Sequence, residues 1–419
     1  MDALGTNIIS ISCIESRIRF SSYSYVFLRL IELESLWIAC VEDIEFKLAL
    51  GNHIGNDGER LSITVKRLGE LFYREKPYCT SEKYAELFNV ASQLTSPQEI
   101  TSFLASIYSD LCFSMTCYLT KATSSEISIA DEPSSRLIRR ILAELDEYIP
   151  FLSKWSGDVP KLNVGLEETF EEEKFDNSIY HNNTFFTLFP ETPSRPYYMK
   201  LNFDYNPPSL DDDRLVSSSH VICEFFHFVV FDIEIAAMEI CARNMVEFSE
   251  MPVEFKIDMA RQIWDEARHA TLLRDYIHDL GYSDGQFELN SQVWRRYLIG
   301  RSLAERLAIQ QVVQEGNSVE SNIKFSDRLF RLGFKKLARI IDFINADETK
   351  HALFGNKWLM FLCNGDYAQY RQEVFKAAET IGWSLPFGDR CKSEARLLSG
   401  FPKEFVLELI AVPQNPSIS

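Results

Sequence analysis

Apolar residues recur every three to four positions along two long parts of the chain. In the first part, about residues 15–153, the runs 27–33 and 137–145 place apolar side chains on one helical face. The second part, about residues 216–383, shows the same spacing over four longer stretches. Because no strand-like alternation persists anywhere, the pattern predicts an all-α fold.

Turn residues divide the second part into helices. Pro252, Gly281 and the pair Asn364-Gly365 follow apolar periodic stretches, and Gly316 follows another. We therefore predict long helices over about 217–248, 253–280, 291–314 and 334–363, with shorter ones over 326–332 and 367–381. Four long helices with short connections predict a four-helix bundle.

Prolines and an acidic run separate the two helical parts. The acidic run covers residues 167–173, and eight prolines lie between about 131 and 215. The predicted organisation is an N-terminal helical region at 1–154, an irregular Pro-rich connector at 155–215, the bundle at 216–383 and a C-terminal extension at 384–419.

Composition narrows the class of protein. The chain has 419 residues, of which 46% are hydrophobic and 25% charged, as in globular proteins. A net charge of −18 disfavours nucleic acid as a partner. Nine cysteines without a Cys-x-x-Cys pair argue against a thiolate zinc site and a disulfide framework. We see no secretory signal and no apolar run long enough for a membrane span, so we expect a cytoplasmic protein.

One pentapeptide pattern, Asp-Glu-x-x-His, occurs twice, at 265–269 and at 347–351. The composition predicts about 0.04 chance copies, so two copies are improbable at roughly one in a thousand. A Glu and a His three residues apart lie on one helical face and can bind one metal ion together. In each helix this pair interrupts the apolar stripe that should face the core. Metal coordination would offset the cost of burying the carboxylate, and a buried salt bridge to Arg or Lys is the alternative.

Two further glutamates have the spacing that a dinuclear site needs. Glu234 precedes Glu266 by 32 residues, and Glu315 precedes Glu348 by 33. The helical distance from Glu234 to the turn and the distance from the turn to Glu266 are both about 20–22 Å. The two carboxylates would therefore lie side by side on neighbouring antiparallel helices. Glu239 could take the ligand position instead of Glu234, and Glu234 could instead form a salt bridge with Arg243. For Glu315, Glu305 and Glu320 compete, or the residue lies on the surface at a helix end.

Three more residues are candidates around the metal ligands. Asp265 and Asp347 precede the metal glutamates and could hold the free nitrogen of a ligating His across the site, or be exposed. His227 lies seven residues before Glu234 on the same face, where it could line a pocket or simply belong to the core.

These motifs resemble the ferritin-like di-iron carboxylate superfamily. The likeness is strongest to a bacterial ferritin-like family described only as a domain of unknown function, over about residues 190–363. The residues that carry it are Arg195-Pro196, Ile233-Glu234, Asp265-Glu266-Ala267-Arg268-His269 and Leu303-Ala304-Glu305-Arg306-Leu307-Ala308. Where that family tends to continue Glu-Ala-Arg-Gly, this chain has Glu315-Gly316-Asn317-Ser318.

The resemblance implies a ferritin-like four-helix bundle that binds two iron ions, with manganese as the alternative metal. It implies that Glu234, Glu266 and His269 hold one iron more closely, and that Glu315, Glu348 and His351 hold the other. The expected activity is that of a non-haem di-iron enzyme that uses O₂ to hydroxylate, desaturate or N-oxygenate a small organic substrate. An external electron donor is expected, and a homodimer is compatible with this class.

Three other functions remain open at this point. They are iron oxidation and storage, tRNA hydroxylation, and a metal-free helical interaction module. The net charge disfavours tRNA, and six ligand-type residues argue against a metal-free module. The N-terminal region resembles a decayed copy of the bundle, in which Arg60 takes the position of a ligating His, and we interpret it as scaffold.

Overall fold

The computed structural model describes residues 11–71, 77, 82–123, 128–152, 154–155, 189–209, 214 and 218–411, and most of these are helical. Within these ranges, strand pairing is limited to one isolated bridge between Leu201 and Leu289. The all-α prediction is therefore confirmed. Most of the predicted connector, including the acidic run 167–173, lies outside the described residues.

Fifteen α-helices follow one another along the described parts of the chain. They are α1 (Cys13–Cys40), α2 (Ile44–Glu70), α3 (Glu82–Ala91), α4 (Pro97–Thr123), α5 (Glu132–Leu152), α6 (Ser219–Phe228), α7 (Ile235–Glu247), α8 (Val253–Asp279), α9 (Gln292–Tyr297), α10 (Leu303–Leu307), α11 (Gly316–Arg331), α12 (Lys335–Leu362), α13 (Tyr367–Thr380), α14 (Ser393–Leu398) and α15 (Lys403–Ala411).

Two π-helical segments join successive α-helices without a break. Val229–Glu234 connects α6 to α7, and Ala308–Glu315 connects α10 to α11. A π-helix carries an extra residue per turn, is rare, and is frequent at functional sites. Each segment ends on a predicted metal ligand, Glu234 or Glu315.

The chain groups into two compact units. The first comprises Met1–Arg195 together with Met245–Arg261, and the second comprises Pro196–Asn244 together with Gln262–Ser419. All six predicted metal ligands belong to the second unit.

The first unit is organised around α1, which is buried on almost every side from Arg19 to Ala39. Ser12 caps its N-terminus by accepting a hydrogen bond from the backbone of Glu15 at 3.0 Å. Trp37 packs edge-on against Phe103 of α4, with ring centroids 5.9 Å apart. Charged groups inside this unit are paired, as Glu32 is with Arg29 and Lys256.

The second unit has a core that includes the C-terminal helices. Phe401 and Phe405 pack with Val312 and Val313 of the second π segment and with Tyr370 of α13. The segment predicted as a C-terminal extension thus contributes side chains to the core beside the bundle helices.

The predicted third helix differs from the one observed. It is interrupted between α9 and α10, resumes at Leu303, and then continues through Gly316 to Arg331 instead of ending before Gly316. The predicted short helix 326–332 is the last part of α11. The other predicted helix ends in this region agree with the structure within about two residues.

Among the described residues, no helix combines the length and the apolar character that a membrane crossing requires.

Candidate metal centre

Six side chains from four helical stretches meet inside the second unit. Glu234 and Glu315 come from the ends of the two π segments, Glu266 and His269 from α8, and Glu348 and His351 from α12. Each is at least 93% buried. Their donor atoms form two groups, each within 4.8 Å: Glu234, Glu266, His269 and Glu348, and then Glu266, Glu315 and His351. The structure therefore brings together all six of the predicted ligands.

Glu266 lies between the two histidines. Its Oε2 is 3.2 Å from Nδ1 of His269, and its Oε1 is 3.2 Å from Nδ1 of His351. Glu348 is also placed between them, with Oε1 at 3.8 Å and 3.9 Å from the same two nitrogens. Glu234 lies on the His269 side at 3.2 Å. The geometry thus gives one Glu and one His to each half of the site, with Glu266 and Glu348 central.

This arrangement refines the division of ligands that the resemblance implied. Glu348 was expected mainly with Glu315 and His351. It instead groups with Glu234, Glu266 and His269, whereas Glu266 belongs to both groups. The reason is the helical spacing, which places the glutamate of each Glu-x-x-His pair at the centre and the His toward one side.

Each histidine is held by the aspartate of the opposite motif. Nε2 of His269 lies 3.2 Å from Asp347, and Nε2 of His351 lies 3.4 Å from Asp265. Since an ionised carboxylate only accepts hydrogen bonds, Nε2 carries the hydrogen and Nδ1 faces the glutamates. Arg268 donates to both aspartates and so links the two motifs. Asp265 and Asp347 therefore occupy the positions from which outer carboxylates orient metal-binding imidazoles.

Glutamines position the carboxylates, and sequence reasoning missed them. Gln262 donates to Glu266 at 3.2 Å and to Glu315 at 2.9 Å. Gln310 donates to the same Glu315 oxygen at 3.2 Å, and Gln314 donates to Gln310 at 2.6 Å. The available signal was spacing, because Gln262 precedes Glu266 by four residues and Gln310 precedes Gln314 by four.

The competing glutamates have other partners. Glu305 forms the capping box of α10 with Ser302 and pairs with Lys376 at 2.6 Å. Glu320 pairs with Arg396 at 3.1 Å. Glu239 is buried but is not part of either metal-range group, and Arg243 stacks on Trp294.

His227 lies among aromatic rings. Its Nε2 accepts a hydrogen bond from the backbone of Gly285 at 3.1 Å, and its ring contacts Phe231 and Phe287. Burial lowers its pKa to about 4. These contacts describe a neutral core histidine that holds the loop after α8.

The electrostatics of the centre favour added positive charge. Burial raises the pKa of Glu234 to about 7 and that of Glu315 to about 7, and it raises the pKa of Glu348 well above its ordinary value. Burial alone would lower the pKa of His351, but Glu266 and the other carboxylates raise it well above its usual range. Four buried carboxylates thus compete for compensating charge.

The side chains present fit two metal ions. Oε2 of Glu315 is buried and has no hydrogen-bond partner within the described residues, and buried Nδ1 of His351, although 3.2 Å from Glu266, makes no hydrogen bond. A buried donor atom without a partner is costly unless a ligand or metal satisfies it. Carboxylate and imidazole donors suit iron or manganese, whereas thiolates would select other metals.

A cavity of about 480 Å³ opens onto the centre. Glu234, Glu266, Glu315 and Glu348 form part of its wall. Most of the remaining wall is apolar, and it includes Phe225, Phe226, Phe228, Leu273, Phe325, Ile341 and Ile344. A cavity of this size is in the range that small organic ligands occupy.

The first unit contains a related but different cluster. Glu34, His53 and Asp57 offer donor atoms within 4.8 Å of one another, and all three are buried. However, Arg60 donates to Asp57 at 2.8 Å, and Tyr108 donates to its other oxygen at 2.6 Å. Arg60 thus supplies positive charge beside Asp57. Glu34, which completes this cluster, was not among the residues that the sequence pattern singled out.

Comparison with known proteins places the chain in a family. The model of a family described as "Protein of unknown function (DUF455)" matches residues 162–407, which is more than half of the chain. The chain belongs to this family. All six candidate ligands lie within the part that matches DUF455.

One relative was found in Haemophilus influenzae, an uncharacterized protein that is 26% identical over 117 residues. The match covers 28% of this chain and 41% of that protein, so the chain matches about two fifths of its relative's length. No solved structure gave a significant match.

Proposed function

We propose that this DUF455 protein is a ferritin-like di-iron oxidoreductase that uses O₂ to oxidise a small organic molecule. The observation that carries the proposal is the cavity of about 480 Å³, whose wall contains four of the six candidate ligands. An apolar space beside buried carboxylates suits an organic substrate. It offers a poor passage for hydrated iron, which disfavours storage.

The residues of this chain have separate tasks in the proposal. Glu234 and His269 would hold one metal, Glu315 and His351 the other, and Glu266 and Glu348 both. Asp265 and Asp347 keep Nδ1 of each imidazole turned inward through the Nε2 hydrogen bond. When bound, two iron ions supply the redox chemistry that O₂ needs to react with an organic molecule.

The cavity wall has the task of placing the substrate and excluding water. Phe225, Phe226 and Phe325 pack against one another, with ring centroids 5.1–6.1 Å apart. Hydroxylation of a C–H bond consumes O₂, two electrons and two protons, and releases one water. The proposal therefore includes an external two-electron donor, and an acceptable substrate is one that the cavity can enclose.

Elemental analysis after anaerobic loading with Fe²⁺ tests the metal part. We expect about two iron ions per chain in the wild type, and a clear loss in Glu234→Gln, since this change removes a charge but keeps the shape. Glu239→Gln is the matched control, because Glu239 is equally buried and lies five residues away. Iron content near zero in the wild type would refute the proposal.

Product analysis tests the enzymatic part. After O₂ is admitted to the iron-loaded protein with a reductant, mass spectrometry of added small molecules should find a product 16 mass units heavier, or 2 lighter for desaturation. Accumulation of ferric mineral without any organic product would favour storage instead.

A further inference from the structure

Among the described residues that line the cavity, Arg296 is the only lysine or arginine. It is half-buried, and its guanidinium carbon lies 5.1 Å from the ring centroid of Trp383, which also lines the cavity. No carboxylate of the described residues pairs with it. Arginine stacked on an indole keeps its in-plane N–H groups free to bind an anion in a bidentate manner.

The surroundings of Arg296 add to its need for an anion. Burial and the neighbouring charge of Arg295 lower its pKa from the ordinary value. Two other buried or half-buried arginines of this unit do have acidic partners, since Arg274 pairs with Asp284 and Arg396 pairs with Glu320. Arg296 differs because the space in front of it is the cavity.

The rest of the wall limits the charge and character of the ligand. One arginine matches the single negative charge of a carboxylate, which its guanidinium can bind in a bidentate manner. Phe225, Phe226 and Phe325 form an apolar stretch of the same wall. Gln292, from the same short helix as Arg296, adds an amide that can donate to an anion.

We propose that the substrate of this cavity is an amphipathic monocarboxylic acid, whose carboxylate binds Arg296 while its apolar body lies against the phenylalanines. This inference rests on the proposed function only in calling the molecule a substrate, because binding itself requires the cavity and Arg296. It narrows the substrate class from any small organic molecule to an apolar acid.

Calorimetric titration with three ligands of equal chain length tests the inference. The probes are decanoate, decanol and decylamine, each kept below the concentration at which it aggregates. We expect the wild-type full-length protein to bind decanoate at least ten-fold more tightly than decanol, and decylamine more weakly than either. Equal binding of decanoate and decanol, or no binding of decanoate, would overturn the inference.

Two matched variants locate the effect. Arg296→Gln should abolish the preference for decanoate over decanol while leaving the affinity for decanol within about two-fold, and Arg296→Lys should keep part of the preference. Arg301→Gln is the control, because Arg301 is exposed and does not line the cavity. Retention of the full preference in Arg296→Gln would contradict our assignment, whatever the wild type binds.

The iron content of the same preparations separates this inference from the proposed function. Two irons per chain with no preference for the acid would remove the inference and leave the function. A preference for the acid in a protein that takes up no iron would remove the function and leave a carboxylate-binding cavity.

Discussion

His269 and His351 each turn Nδ1 toward glutamates and Nε2 toward an aspartate of the other motif. If each is the imidazole ligand of one metal, replacing either by Ala removes one nitrogen donor. The central Glu266 and Glu348 remain, so the other metal stays bound, although less tightly.

We therefore expect His269→Ala and His351→Ala each to lower the iron content toward one per chain and to abolish substrate oxidation. Iron per chain and product yield are the measurements. His278→Ala serves as the control, since His278 is partly exposed and pairs with Asp284. Wild-type iron and yield in either variant would remove that histidine from the site.

Glu34 gives a residue-scale prediction in the first unit. Burial, followed by the charge of Asp57, raises its pKa well above 4.5, and both of its oxygens lack a described hydrogen-bond partner. Because the folded state holds this proton more tightly than the unfolded state, Glu34 favours folding at low pH. That contribution is lost as pH rises from about 4.5, at up to about 1.4 kcal/mol per pH unit until the raised pKa is reached.

Glu34→Gln should remove this dependence, because the amide has no charge to bury. The melting temperature of the variant relative to wild type should therefore be higher at pH 8 than at pH 5. Glu59→Gln on exposed α2 surface is the control. A difference that does not change with pH would show that Glu34 is ionised with a partner of its own.

At the scale of elements, α12 approaches the second π segment closely at Gly355. A Cβ added there would lie 2.4 Å from Cβ of Gln311 and 3.2 Å from its carbonyl carbon. The helices would have to separate, which costs about 1–3 kcal/mol. Since this pair carries Glu315, Glu348 and His351, the ligands would separate too.

Gly355→Ala should thus lower both the denaturant midpoint and the iron content. Gly69→Ala is the matched control, because Gly69 is exposed near the end of α2 and has no atom within 4 Å of an added Cβ. For Gly69→Ala we expect the free energy of unfolding to rise by at most about 1 kcal/mol. A Gly355→Ala protein as stable as Gly69→Ala would contradict the close approach.

The helix through Gly316 shows why sequence alone misplaced one element. Glycine commonly ends helices, so the prediction stopped there. In the structure Gly316 has a helical φ of −58°, and an added Cβ would lie 2.8 Å from the ring of Phe401. Its small size serves a contact with a residue 85 positions later, which local pattern cannot reveal.

The other bundle helices were predictable because their apolar spacing and turn residues agree. The duplicated Asp-Glu-x-x-His motifs likewise predicted that four side chains of α8 and α12 would lie together, and the constant spacing added Glu234 and Glu315 to that cluster. The four-residue spacing of Gln262 and Gln310 was too weak a signal to single them out, and Arg296 had none, since polar residues of these types are common on exposed helical faces. The π segments were not predicted either. They are only six and eight residues long, and over so few residues one extra residue hardly changes the spacing of apolar positions.

For the whole molecule, metal should contribute directly to stability. The six ligands come from distant parts of the second unit, so binding to the folded state raises the free energy of unfolding. Free metal at one hundred times its dissociation constant adds about 2.7 kcal/mol. The full-length protein should melt at a lower temperature after chelation and recover on reloading with Fe²⁺.

The double variant Glu266→Gln/Glu348→Gln provides the comparison for this measurement. It lacks both central charges, so chelation and reloading should leave its melting temperature unchanged. A similar rise on reloading in this variant would place the stabilising metal elsewhere. These measurements need the full-length protein, because residues Met245–Arg261 belong to the first unit although they lie between two parts of the second unit in the sequence. No change in amino-acid composition along the chain reveals this assignment.

The matched π segments have a consequence for the origin of the chain. Such segments make up well under 1% of residues in proteins, yet two occur within the described residues, each ending on a candidate metal-binding glutamate that precedes an Asp-Glu-x-x-His helix. One inserted residue, copied when an ancestral helical hairpin was duplicated, accounts for both more economically than two separate insertions. If the centre arose by such a duplication, each ancestral hairpin would have carried one π-segment glutamate and one Asp-Glu-x-x-His helix.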